Sequence, residues 1–491
     1  VPLLSQLLIS ALLLAPTSSF ARIQGEVSVG YELGYDDNIN LGADGAGQDE
    51  NISNEIYTEV DVIKDSGFFQ YNALGRAGFR AETADGIDDR FLLDGNFDGQ
   101  WMISRNRLAW DISNEALLRR TNSAQAFSVR NTEQINRFRT GPRLFFRPGP
   151  RTNLELSAFY EYAWFEERDD NQFIGAAADL GFRLSSLTQI DTNLSQTNYL
   201  PEGDNRSEEV SRSVSFVINR RLQRGNVFIG AGVSTIELDL VELADDEDEI
   251  IPTYRAAYDY EISSAITFNA SFERAVITVG RDEYDIPEVP GLSGSTGRDR
   301  PGQSGILDAN ERSQLDDFDY TAGFNVSTAI STGFIYSKAL WSAQIRGYSS
   351  LIEVPDTQFE LTDAEERAYF ETINGIDRGS ESIGFEIIGN FEPKPRWLVS
   401  LGYGKEYRTI DTQQVNRPGD EGVDGSNVGL LRDGVTRVEL DESRIFSDMT
   451  YAATRFLSFG ARLELAKFED VDTGTQPGSV NRIFFNVEYV L

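Results

Sequence analysis

Arg137, Arg139 and Arg143 stand at even offsets in one short stretch. On an extended chain such residues share a face. Three guanidiniums on one face make a cationic track that can guide anionic or sugar-rich material, as lines of charge set selectivity in pores. Arg76 and Arg80 repeat the spacing, and Arg107, Arg183 and Arg255 extend the set. Carboxylates fall on the same inferred face: Asp94, Asp98, Asp111, Glu155, Asp179 and Asp259. The mixture has two readings, a conducting track or strand-to-strand ion pairs that brace a wall. Other chemistry is excluded more firmly. The chain has no histidine and no cysteine, which removes Ser-His-Asp hydrolysis, imidazole metal sites and thiolate nucleophiles. The run Asp245–Glu249 offers hard oxygen ligands but lacks the spacing and turn glycine of a calcium loop, so it reads as a solvated loop. No enzyme activity, cofactor or metal is expected. A net charge of -35 argues against nucleic acid, whose phosphates call for Lys and Arg.

The elements that position these groups follow from period-two alternation. Leu154, Leu156, Ala158, Tyr160, Tyr162 and Trp164 alternate with Asn153, Glu155, Ser157, Phe159 and Glu161. Val27, Val29, Tyr31, Leu33 and Tyr35 alternate with Glu26, Ser28, Gly30, Glu32 and Gly34. The same pattern runs through Phe69–Arg80, Trp397–Gly404 and Leu457–Leu465. The apolar faces end in aromatics, as where a strand meets lipid headgroups. Tight turns are read at Asp65–Gly67, Ser104–Asn106, Arg147–Pro150, Leu184–Ser186, Leu222–Gly225, Ile262–Ala265, Ile330–Gly333, Glu392–Pro395 and Ala453–Arg455. Between them lie long acidic or glycine-rich segments: Asp36–Asn54, Val241–Glu249, Gly280–Asn310, Pro355–Gly375 and Asp411–Gly434. Gly280–Asn310 is the expected constriction or cap. Short turns alternating with long loops predict an all-β, transmembrane, antiparallel up-and-down β-barrel of about 20 strands, within 18 to 22. Both termini fall on the short-turn side.

Residues 1–21 read as a secretion signal: an apolar run to Pro16, then small residues at Ser19 and Ala21 for cleavage after Ala21. Residues 22–491 are then the barrel, in the outer membrane of a Gram-negative bacterium. Ile483, Phe485, Val487, Tyr489 and Leu491 share one face of the last strand. They are similar to the C-terminal signal through which such barrels meet the barrel-assembly machinery, although the terminal residue is Leu and not Phe. Barrels of TonB-dependent transport carry a large N-terminal plug. Here the first strand begins soon after Ala21, so no plug domain is expected.

The segment Val29–Asn40 resembles the opening of the β-barrel porin 2 family, through Tyr35, Asp36, Asp37, Asn38 and Ile39. Several members are encoded with exopolysaccharide or capsule systems. The resemblance implies an outer-membrane channel for polysaccharide export in a biofilm or capsule pathway, with polysaccharide and periplasmic export proteins as partners beside the membrane lipids. It implies no catalytic residues. Two other functions fit the residues, a general or solute-selective diffusion porin and a structural or adhesive surface protein. The residues expected to line the lumen are Arg76, Arg80, Arg137, Arg139, Arg143 and Glu155.

Overall fold

The computed structural model describes residues 24–38, 50–64, 67–84, 89–105, 107–119, 133–166, 170–201, 208–239, 248–278, 324–353, 377–394, 396–413, 435–470 and 478–491. The signal segment, the connection 240–247 and the long segment Gly280–Asn310 lie outside them. Twenty strands form one antiparallel sheet. The first ten are β1 (Gln24–Asp36), β2 (Asn51–Lys64), β3 (Phe69–Glu82), β4 (Arg90–Ser104), β5 (Leu108–Arg119), β6 (Glu133–Gly149), β7 (Thr152–Phe165), β8 (Asn171–Arg183), β9 (Thr188–Pro201) and β10 (Glu208–Leu222). The rest are β11 (Gly225–Asp239), β12 (Asp248–Ser263), β13 (Ile266–Thr278), β14 (Phe324–Lys338), β15 (Trp341–Glu353), β16 (Asp377–Lys394), β17 (Trp397–Gln413), β18 (Val435–Ala452), β19 (Leu457–Asp470) and β20 (Gly478–Val490). Each strand pairs with the next, and β1 closes on β20 from Ser28↔Val490 to Asp36↔Arg482. No helix among the described residues is long and apolar enough to cross a membrane; the crossing elements are strands.

Alternation decides which face is which. In β1 the side chains of Ser28, Glu32 and Asp36 are buried, while Val29, Tyr31 and Leu33 are exposed. Exposed apolar side chains continue around the outside with Phe216, Ile229, Leu401, Ile445, Leu463 and Phe485. So much apolar surface on a closed barrel is a lipid-facing band. Near the short turns the band is rimmed by aromatic pairs, Trp341–Phe391 at 4.0 Å and Trp397–Tyr451 at 4.6 Å between ring centres. Tyr31, Tyr160, Tyr162 and Trp164 stand toward the other rim.

The inward face is tied together by rings laid over glycines. Tyr57 lies across its partner Gly30, where a Cβ would come within 2.2 Å of the ring. Phe159 covers Gly175 and Phe446 covers Gly402 in the same way. A glycine opposite a ring lets the ring lie flat on the neighbouring strand and bury its face there.

One expected turn is corrected. The turn read at Ile330–Gly333 lies inside β14, and the chain reverses at Ala339–Leu340. Ser-Thr-Gly has turn composition, but Gly333 is there because the Ile345 carbonyl passes close by, where a Cβ would sit 2.8 Å from its oxygen. Ala339 takes the left-handed turn position with φ 44°. The interior also carries an apolar patch. Phe173, Tyr199, Ile236, Ile251, Phe324 and Val326 form an apolar cluster near the long-loop end. At the long-loop end the wall itself turns into the mouth. The β12–β13 ladder stops at Tyr254↔Arg274, although β12 stays paired with β11 up to Asp248 and β13 with β14 up to Thr278. Pro252, with no N–H to donate, stands in the stretch of β12 that β13 leaves unpaired.

Candidate functional site: the charged lumen wall

All six expected lumen residues project inward, and they fall into two groups. On β6, Arg137 reaches Glu115 of β5 at 3.2 Å and Glu161 of β7 at 3.1 Å. Arg139 lies 4.0 Å from Glu161, with its guanidinium 3.7 Å from the centre of the Phe159 ring. Arg143 pairs with Asp111 at 2.6 Å and Glu155 at 3.3 Å. The even spacing on one strand therefore delivers each cation to carboxylates of the neighbouring strands. Arg137, Arg139, Arg143 and Glu155 come together; Arg76 and Arg80 do not join them.

Arg76 belongs to the seam side of the barrel. It stacks 3.6 Å from the Tyr57 ring centre and pairs with Glu32 at 3.4 Å and Glu55 at 2.9 Å. Arg80 lies 2.7 Å from Glu82. Farther round, Glu464 of β19 is 2% exposed. It receives Arg462 at 3.0 Å, Arg482 at 3.3 Å and Arg444 at 4.0 Å. Arg482 continues to Asp36 at 2.8 Å. This network went unread in the sequence, because its members come from β18, β19, β20 and β1 and only barrel closure makes them neighbours.

Of Tyr35, Asp36, Asp37, Asn38 and Ile39, the middle three act at that seam. The backbone N–H and side-chain amide of Asn481 donate to Asp37 at 2.7 and 2.5 Å. The amide of Asn38 donates to the Ser479 carbonyl at 2.9 Å, and the Asn38 N–H donates to Asp36. Tyr35 points outward, its ring partly exposed. Ile39 lies outside the described residues. The motif thus laces the first strand to the last.

A cavity of about 810 Å3 opens along the inner wall of β2 to β7. Lys64, Arg137, Arg139 and Arg143 line it together with Asp98, Asp111, Glu115 and Glu161. Five amide side chains, Gln70, Asn72, Asn96, Gln100 and Asn114, line it as well, with the hydroxyls of Tyr71, Ser113, Thr140 and Ser157. Cations and anions balance four against four, so the lining has no net sign. What remains is a dense array of hydrogen-bond donors and acceptors.

No family model matches the chain, and no curated protein matches it. Solved structures similar to it include the copper transporter OprC, at 9% identity and a TM-score of 0.44, covering 96% of this chain and 81% of that one. The FrpB iron transporter from Neisseria meningitidis matches at 8% identity and a TM-score of 0.45, over 95% and 82%. The ferric citrate transporter FecA matches at 8% identity and a TM-score of 0.46, over 95% and 79%. Part of each of these chains has no counterpart in this one. The twenty-strand antiparallel barrel stands, and the expectation that it lacks a plug domain is withdrawn. The location rests on the fold itself. An even number of antiparallel strands, a lipid-facing band and aromatic rims define the outer-membrane type of barrel. The protein resides in the outer membrane of a Gram-negative bacterium.

Proposed function

We propose that the barrel is an outer-membrane channel whose traffic is a saccharide chain, exported in a biofilm or capsule pathway. The carrying observation is the balanced, amide-rich cavity on β2 to β7. Paired charges select poorly for a small ion, whereas amides and fixed ion pairs can exchange hydrogen bonds with successive hydroxyls of a passing glycan. The resemblance of Tyr35–Ile39 to polysaccharide-linked porins supports the same substrate class. Periplasmic export proteins are the partners this reading calls for.

Reconstituted in planar bilayers, the protein should conduct in discrete steps, and soluble oligosaccharides should interrupt the current. Replacing Arg137, Arg139 and Arg143 together with Gln leaves Asp111, Glu115, Glu155 and Glu161 unopposed. The ion preference should then shift toward cations. In cells, deletion should lower surface polysaccharide and leave small-nutrient uptake intact. Slower uptake of a defined solute with unchanged polysaccharide would favour a diffusion porin. A barrel that never conducts would leave the structural or adhesive role.

A further inference from the structure

The long-loop mouth is built so that the sheet overlaps itself. On β14, Ile330, Phe334 and Tyr336 are exposed and mark the lipid-facing side. Phe324 and Val326 have the same parity, yet they are 1% and 3% exposed. They pack, with Val276 of β13, on Phe173, Tyr199, Ile236 and Ile251. Those four belong to the inward faces of β8, β9, β11 and β12, since Ile174, Leu194, Val233 and Ile250, of opposite parity on the same strands, are exposed outside. The outer side of the β13–β14 tip therefore lies against the inner side of β8 to β12. The Phe324 N–H donates to Glu209 of β10 at 3.1 Å, although three strands stand between β10 and β14 in the sheet.

The point where the tip leaves the wall is defined. Arg274 is the last β13 residue paired with β12. It donates to Thr328 at 2.9 Å and to Glu353 of β15 at 2.7 Å, which pins β13, β14 and β15 together at that level. Its partner Tyr254 is exposed on the outside, as an aromatic at the membrane rim would be. The backbone edges that part above it then lie on the water side, where they do not meet hydrocarbon. A second arrangement needs no new register. Continuing the ladder from Tyr254↔Arg274 would pair Thr253 with Ala275, Pro252 with Val276 and Ile251 with Ile277. That would return Val276, Phe324 and Val326 to the outer side and bare the inner apolar patch to the lumen. Pro252 weakens this zipped form by withholding a donor.

We propose that the overlap is a hydrophobic gate: tip folded in, the mouth is narrowed by a dry apolar cluster; tip zipped to β12, the mouth is open. Dewetting at apolar constrictions is an established means of gating, and the two packings supply the discrete states that a switch requires. The gate rests on the channel reading.

The chain has no cysteine, so two double variants test the gate. Ile251→Cys with Ile277→Cys should form a disulfide under a mild oxidant and hold the tip out. Glu209→Cys with Phe324→Cys, bridged by a short reducible bifunctional thiol reagent, should hold it in. Cross-linking is read as a gel shift, and folding of each variant by retained resistance to detergent without heating. In planar bilayers the first lock should raise open occupancy. The second should abolish or sharply reduce conductance, and reductant should restore it. Equal conductance in both locks overturns the gate, as does a 251–277 pair that never bonds while the 209–324 pair is bridged. If no protein conducts at all, the channel reading fails. The gate's two states are then still judged by whether each double variant forms its own cross-link, and a 251–277 pair that stays open while the 209–324 pair is bridged overturns them.

Discussion

Single side chains in this barrel matter through the partners that closure gives them. Glu464 shows this most sharply. It is buried among Arg462, Arg482 and Arg444 and lies within reach of all three. Glu464→Gln takes away the carboxylate these guanidiniums share. Breaking a buried ion pair costs about 3–5 kcal/mol, so the temperature at which the folded band is lost on unheated gels should drop clearly. Glu237→Gln should barely change it, because its partner Arg212 is exposed and surface pairs contribute about 0–1 kcal/mol. The inward placement of Arg76, Arg137, Arg139, Arg143 and Glu155 was legible from alternation alone. Their partners were not, since alternation assigns a face and says nothing of which carboxylate stands on the next strand. Nothing in the order of residues ranks Arg462 above other inward side chains, and the structure makes it one of the most buried.

At the scale of the strand, register is the property most open to test. Leu401 and Ser400 are adjacent on β17, one exposed to lipid and the other buried inside. Leu401→Arg near the midplane should cost about 2–4 kcal/mol in unfolding from a bilayer. A slip of one residue would exchange the two faces, and Ser400→Arg would then be the costly change. Strand faces were legible because lipid and lumen impose opposite polarity at every second residue. Turns were legible where short polar or Pro-Gly sequences ended an apolar run, as at Arg147–Pro150. They were misread where a small-residue string served packing, as at Ile330–Gly333. The split between β12 and β13 carried one signal in the sequence, Pro252 within a strand. The apolar Ile236 and Ile251 on the inward parity were a second, visible only once parity was fixed.

For the whole molecule the nine short connections lie at one end and the ten long ones at the other. By the rule for such barrels the long ones face outward from the cell. A cysteine at Glu50, beside the β1–β2 connection, should react with an impermeant thiol reagent on intact cells. One at Ser185, in the short β8–β9 turn, should react only after the outer membrane is opened. The reverse labelling would invert the barrel. Architecture was the most legible level, since alternation, strand length and loop asymmetry repeat along the chain and errors at single turns average out.

The seam sets a timetable for making the protein. Arg482 reaches Asp36 across 446 positions, and Asn481 reaches Asp37 across 444. No shorter stretch of chain supplies these contacts, so the β1 edge has no native neighbour on one side until β20 arrives. Contacts this distant in sequence are the slowest to find, and an unpaired strand edge is a template for unwanted pairing while it waits. The nascent chain must therefore be shielded from water and from its own copies for the whole interval between synthesis of its first strand and delivery of its last.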